Sequence, residues 1–137
     1  IGPRDIEKGN LCFARRVFPE GEKRKLFLAE DEALGSIPGR LDAFQDALRD
    51  AAIARREANS YRGVSDWNEM KEILETTGGF VYTGWSGDPA VEARAKEELK
   101  ATIRCIPDDE FRSAEAPSQC ISGEGAAKHE VVWARAY

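Results

Sequence analysis

The sequence predicts an α/β (mixed α+β) chain in two portions, and three observations carry that prediction. Short runs of large apolar residues alternate with longer segments whose apolar residues recur every three or four positions. Gly, Pro and Asp punctuate the joins. Of the 137 residues, 42% are hydrophobic and 33% charged, a balance that fits a folded soluble chain and argues against wholesale disorder. No apolar run approaches the roughly 18–20 residues of a spanning helix, so a transmembrane helix is excluded.

Leu11 to Phe18 reads as a strand built on Leu11, Phe13 and Val17, with Arg15 and Arg16 within it. Pro19 to Glu22 reads as a turn, and Lys25 to Ala29 as a second strand, which together suggest a hairpin. Glu30 to Ser36 is expected to form a short helical turn, broken near Gly35 and Pro38. A longer helix is expected from Pro38 to about Tyr61, with Leu41, Phe44, Leu48 and Ala51 on one face. Ser65 is a candidate N-cap for a helix through Trp67, Met70, Ile73 and Leu74, ended by Gly78 and Gly79. Phe80 to Trp85 reads as a strand and Ser86-Gly87 as a turn. Asp88 then caps a helix with Pro89 at its first position, running to about Lys100 through Val91, Ala95 and Leu99. Thr102 to Ile106 is a strand stopped by Pro107, residues 108–119 are loop-like, and Glu130 to Tyr137 is the closing strand. The expected boundary is Arg62-Gly63-Val64.

The net charge of −5 hides an asymmetry. Residues 1–62 carry 12 basic and 11 acidic side chains, and residues 63–137 carry 8 and 14. The whole-chain charge is therefore no guide to partners. Cys12, Cys105 and Cys120 make an odd count without a dense framework, which fits a reduced intracellular protein. The start at Ile1 suggests a piece of something longer.

Little of this points to catalysis. His129 is the one histidine, and no motif ties it to a Ser or Cys nucleophile. Asp108, Asp109 and Glu110 are adjacent carboxylates without calcium-loop spacing, a pattern more often found in a solvated loop. Cys12 and Cys105 lie in apparent strands and read as small buried hydrophobes. The remaining signal is basic. Arg15, Arg16, Lys23, Arg24 and Lys25 lie on two arms of one hairpin, and Arg4 and Lys8 come just before it. Such a patch suits phosphates or base edges; it is equally a solvated hairpin balanced by Glu20, Glu22 and Glu30.

Five blocks then carry a resemblance. Ile1 to Gly9 (IGPRDIEKG) is similar to the GPRDLEKG segment in the anticodon-binding domain of prolyl-tRNA synthetases of the archaeal/eukaryotic type. Ile37 to Gln45 (IPGRLDAFQ), Arg56 to Ser60 (REANS), Thr102 to Pro107 (TIRCIP) and Val131 to Tyr137 (VVWARAY) follow in that family's order. The resemblance implies that residues 1–62 are the later part of an anticodon-binding α/β domain. Residues 63–137 would be the extra C-terminal α/β domain. The whole enzyme would ligate proline to its tRNA with ATP and Mg2+, as a cytoplasmic homodimer, with its catalytic domain upstream and no catalytic residue in this chain. Arg4, Lys8, Arg15 and Arg16 become candidate tRNA contacts near the anticodon. The terminal Tyr137 becomes a candidate for docking on the catalytic domain.

Many relatives hold a structural zinc in the C-terminal domain through two cysteine pairs. Here the matching positions are Ser86, Val91, Cys120 and Ser122, so zinc is not expected. Two competing classes remain: a free-standing or fused non-catalytic module that binds tRNA or protein, and a small hydrolase using His129.

Overall fold

The computed structural model describes residues 2–16, 21 and 23–135. The chain forms two compact units, Ile1–Arg55 and Arg56–Tyr137. The division falls within a helix, several residues before the Arg62-Gly63-Val64 boundary.

The first unit opens with α1 (Pro3–Lys8), which the sequence reading did not anticipate. Pro3 occupies a first-turn position, where its missing N–H costs nothing, and the Gly2 N–H donates to Asp5 Oδ2 at 2.8 Å. Gly9 ends the helix in the left-handed region, with φ 61°. β1 (Asn10–Ala14) and β2 (Lys25–Ala29) then pair antiparallel, Asn10 opposite Ala29 and Ala14 opposite Lys25. The expected hairpin is therefore present, although Arg15 and Arg16 lie just beyond β1. Val17 to Glu20 and Glu22 lie outside the described residues, so only Gly21 of the expected turn is seen, at φ 87°.

The expected break at Gly35 and Pro38 does not occur. α2 runs unbroken from Glu30 to Ala58, 29 residues with Pro38 inside. Proline removes the N–H that would bond to the Leu34 carbonyl, a local penalty of about 3 kcal/mol. The turn before it is secured in other ways: Ala33 is fully buried, and the Ser36 hydroxyl donates to the Ala33 carbonyl at 3.0 Å. The long run of good helix formers after Gly39 offsets the rest. The expected apolar face is largely open: Leu41 is 62% exposed, Ala51 is exposed, and Phe44 and Leu48 are only half-buried. A 29-residue helix is about 43 Å long and two five-residue strands about 17 Å, so this hairpin cannot cover it.

The second unit is a four-stranded mixed sheet, β3 (Ser60–Tyr61), β4 (Phe80–Trp85), β6 (His129–Arg135) and β5 (Ala101–Cys105) in spatial order. β3 pairs parallel to β4, and β6 runs antiparallel between β4 and β5. α3 (Trp67–Thr76) makes the crossover between the parallel strands β3 and β4, and α4 (Pro89–Leu99) carries the chain from β4 to β5. Trp67, Met70 and Leu74 of α3, Val91, Ala95 and Leu99 of α4, and Val81, Val131 and Trp133 of the sheet form one buried cluster. Trp133 is fully buried, and its indole N–H donates to Thr83 Oγ1 at 2.8 Å, so its one polar atom is satisfied. Every residue of β6 from Glu130 to Ala134 is buried, the mark of a central strand covered on both faces.

Caps define the helices. Asp66, not Ser65, caps α3, accepting from the N–H groups of Asn68 and Glu69 at 2.8 and 3.1 Å. Asp66 wins because it immediately precedes the first helical residue, where a short carboxylate reaches two orphan donors. Asp88 caps α4 as expected, accepting from the Ala90 N–H at 2.8 Å. At its other end Arg135 Nε donates to the Leu99 carbonyl at 3.0 Å. Cys12 and Cys105 are exposed, against the expectation of burial. Cys12 shares the exposed face of β1 with Ala14, and Cys105 ends the edge strand β5 beside a register shift.

Candidate functional site

In the first unit a cleft of about 710 Å³ is lined by the hairpin and by α2. Phe13, Ile37, Leu41 and Phe44 supply its apolar wall, and Arg15, Arg16, Lys23, Arg24, Lys25 and Arg40 surround it with positive charge. Among the described residues no carboxylate lines it, while Glu20 and Glu22, the candidate counter-charges, lie outside them. The ladder continues one step past β1, where the Arg15 N–H donates to the Arg24 carbonyl at 3.3 Å. That step brings the two basic runs onto one surface. Arg40 completes the cleft from α2: its guanidinium sits 5.8 Å from the Phe13 ring centroid, and its Nε donates to Ser36 Oγ at 2.8 Å.

Arg15 and Arg16 therefore share this cleft, whereas Arg4 and Lys8 do not line it. They line a second hollow with Asn10 and Phe27, in which Asp5 offsets part of their charge. Arg40 escaped the sequence reading because it lies in the helix, far along the chain from Phe13. Its position in the IPGRLDAFQ block was the available signal. Tyr137 lies outside the described residues.

Arginines clasp acidic and aromatic side chains in the second unit. Glu57 accepts from Arg56 at 2.8 Å and Arg62 at 3.0 Å, while these guanidinium groups also lie over the rings of Phe111 and Tyr82. The Arg56 hydrogen bond foremost, aided by Arg62 and opposed by partial desolvation, holds the Glu57 carboxyl below its ordinary pKa. His129 is exposed, and its ring centroid lies 6.4 Å from that of Trp85. Ser113 shares a small cleft with it, but the buried Ser113 Oγ has no hydrogen-bond partner. Ser113 and His129 therefore do not form a nucleophile–base pair.

Cys120 is the buried cysteine. It belongs to the buried cluster of the second unit. Burial pushes the thiol pKa up, but the polar groups of Ser122 and Ser86 outweigh it and hold the thiol below its ordinary value.

Residues 67–137 match the family described as "Prolyl-tRNA synthetase, C-terminal". The chain belongs to the prolyl-tRNA synthetase family. It is 43% identical to a proline–tRNA ligase of Chlorobium phaeobacteroides (strain BS1) over 141 residues, which covers all of this chain and 28% of that protein. A proline–tRNA ligase of Akkermansia muciniphila is 37% identical, again over the whole chain and 27% of its own length. The prolyl-tRNA synthetase of Cryptosporidium parvum, solved with halofuginone and AMPPNP, superposes with a TM-score of 0.80 at 27% identity, covering all of this chain and 27% of that one. The chain thus spans little more than a quarter of the relatives it matches. It corresponds to the C-terminal region of a prolyl-tRNA synthetase.

The zinc implied by the prolyl-tRNA synthetase resemblance is tested by the donor set. Structural zinc takes four ligands drawn from thiolates, imidazoles and carboxylates. The four family positions here offer one thiol, two neutral hydroxyls and a hydrocarbon. Among the described residues, no three His, Cys, Asp or Glu side chains gather closely enough to hold a metal. These residues do not fit zinc. Nor, among the described residues, is any helix long and apolar enough to cross a membrane.

Proposed function

We propose that this chain is the tail of an enzyme that ligates proline to its tRNA, with the first unit reading the anticodon and the second supporting the catalytic domain. The basic cleft of the first unit carries this reading. Single-stranded anticodon bases are bound by stacking and by edge hydrogen bonds, with phosphates held by Arg and Lys. An apolar wall containing Phe13 and Phe44, ringed by six cations, supplies both. Arg15 and Arg16 are the leading tRNA contacts, and Arg4 and Lys8 are outer ones. The related Cryptosporidium enzyme solved with L-proline and AMP supports proline and an adenine nucleotide as substrates of the whole protein. ATP and Mg2+ would act in the catalytic domain, and homodimerisation and a cytoplasmic setting complete the proposal. Tyr137 is proposed to dock on the catalytic domain.

The test is kinetic and uses the intact enzyme. Arg16→Ala combined with Lys23→Ala should raise the KM for tRNA about tenfold, equivalent to one charge-assisted hydrogen bond of roughly 1.5 kcal/mol. Proline-dependent ATP–pyrophosphate exchange should be unchanged, because it needs no tRNA. An unaltered KM for tRNA refutes the anticodon assignment.

A further inference from the structure

We infer that a cleft in the second unit, under the loop between β5 and β6, binds a small zwitterion, a free α-amino acid. Glu130 and Ser113 receive its ammonium, and Lys128 and Arg112 receive its carboxylate. The cleft holds about 210 Å³. That is room for about seven waters, which suits an amino acid with a short side chain and is too small for a nucleotide.

The floor follows from the strand pattern. Val131 and Trp133 of β6 belong to the buried cluster on one side of the sheet, so Glu130 faces the other side. Its antiparallel partner is Gly84, over which the Gln119 carbonyl passes closely. A loop that lies so near β4 covers the neighbouring carboxylate too, and Glu130 is only 8% exposed. A carboxylate so buried is ordinarily met by a cation or by several donors. Among the described residues no cation pairs with Glu130, and one donor reaches it, the Ser113 N–H at 2.9 Å from Oε2. The Ser113 hydroxyl is itself buried with no hydrogen-bond partner. Both residues line the cleft, so unused acceptor capacity collects at one place.

The rim has the opposite charge. Arg112 and Lys128 line the same cleft and are exposed. Arg112 donates from Nε to the Pro107 carbonyl at 3.1 Å and pairs through Nη1 with Asp109 at 2.7 Å, which leaves Nη2 for a ligand. The Lys128 side chain runs past Gly87, where a Cβ would lie 3.9 Å from Nζ, and forms no ion pair with Glu130. A simple cation on the floor would meet the positive rim, and a simple anion at the rim would meet Glu130. A molecule that carries both charges a few bonds apart is attracted by both. Ile106 and Pro117 supply apolar wall for a short side chain. Arg112 to Ser118 form neither helix nor strand, so this segment can yield as the ligand enters.

The test is a titration of the 137-residue chain. The chain corresponds to the C-terminal region alone, so an amino acid that binds it does not report on a catalytic centre elsewhere in the enzyme. Trp85 is the optical reporter, since its ring lies 6.4 Å from that of His129, which lines the cleft. L-Alanine and L-proline should each saturate one site, by calorimetry and by tryptophan fluorescence, with a Kd of about 1 mM or tighter. Acetate and methylammonium, at matched ionic strength, should each bind at least about tenfold more weakly, because each keeps one charged contact and loses the other. Either ion binding as tightly as alanine overturns the zwitterion. So does a cleft that takes water only, seen as no saturation with either amino acid.

Two variants then place the charges. Glu130→Gln should weaken alanine about tenfold and leave acetate unchanged. Lys128→Ala should weaken alanine and acetate alike, and its exposed side chain can be removed without unfolding the unit, so it decides the matter even if Glu130→Gln does not fold. Unchanged alanine binding in Lys128→Ala overturns the assignment. Tighter binding does so too, because it would mean that Lys128 closes on Glu130 as an internal ion pair.

Discussion

Both units combine helix and strand, yet they treat their apolar residues in opposite ways. Of the eighteen buried hydrophobic residues described, sixteen lie in Arg56–Tyr137, and only Leu28 and Ala33 lie in Ile1–Arg55. Among the exposed large hydrophobics the proportion inverts: Ile6, Leu26, Phe27, Leu34, Ile37, Leu41 and Ile53 are in the first unit, Phe80 and Ile106 in the second. Hydrophobic burial is the main favourable term in folding. The second unit therefore carries its own stability. The first leaves its apolar faces open. In the proposed enzyme, the remainder of the anticodon-binding domain would cover them.

The sharpest test sets Trp133 against Leu41. Trp133→Ala removes the largest fully buried side chain among the described residues and takes away the indole donor of Thr83 Oγ1, and should cost about 3–5 kcal/mol in the second unit. Leu41→Ser, at a residue 62% exposed, should cost no more than about 0.5 kcal/mol in this chain. Urea titration separates the units because all three tryptophans, Trp67, Trp85 and Trp133, lie in the second, while α2 is the longest described helix and supplies about half of the helical circular dichroism. Ellipticity should begin to fall at lower urea than the fluorescence changes. Coincident transitions would break the contrast, since they would mean a single cooperative structure.

A smaller effect is expected at Gly84, where the 118–127 loop crosses β4. A Cβ there would collide with the Gln119 carbonyl and the Ala127 side chain. Gly84→Ala should therefore cost about 1–3 kcal/mol by displacing the loop, again read in the fluorescence transition. Gly35 is the control in the first unit, since a Cβ there meets nothing within 4 Å. Gly35→Ala should leave stability unchanged or raise it by up to about 1 kcal/mol through helix propensity. Equal losses at the two glycines would show that the loop yields as readily as open solvent.

Legibility followed the same divide. Asp88 and Pro89 announced α4 because a cap is a local signal, and α3 and β4 followed from periodicity and glycine stops. Pro38 misled because the rule for proline is local, whereas the survival of α2 depends on turns to either side. β3 was invisible because two residues, Ser60 and Tyr61, become a strand only by pairing with Phe80 and Val81. At the candidate site, Arg15, Arg16 and Lys23 to Lys25 were legible because a hairpin returns its arms to one surface. Arg40 was not, since its contact with Phe13 crosses elements.

The smallest expected effect concerns acid sensitivity, and it sharpens the contrast because its groups all lie in the second unit. Glu98 accepts from Arg94 Nε at 2.9 Å and from the Trp67 indole N–H at 3.1 Å, with the Arg94 guanidinium 3.9 Å from the Trp67 ring centroid. The Arg94 hydrogen bond foremost, opposed by partial desolvation and aided by Trp67 and Lys71, holds the Glu98 carboxyl below its ordinary value. Folded protein thus binds fewer protons at Glu98 than unfolded protein does. The stabilisation is complete above the unfolded pKa and is lost as pH falls through the lower, folded one. Across that carboxylate window, Glu98→Gln should flatten the fall in fluorescence midpoint on acidification. The variant and the parent should differ most at neutral pH and converge in acid. Because the pair is solvent-exposed, added salt should narrow the difference at neutral pH. Parallel curves displaced by a constant amount would show that Glu98 acts by packing, and that its ion pair with Arg94 contributes nothing to holding α4 against Trp67.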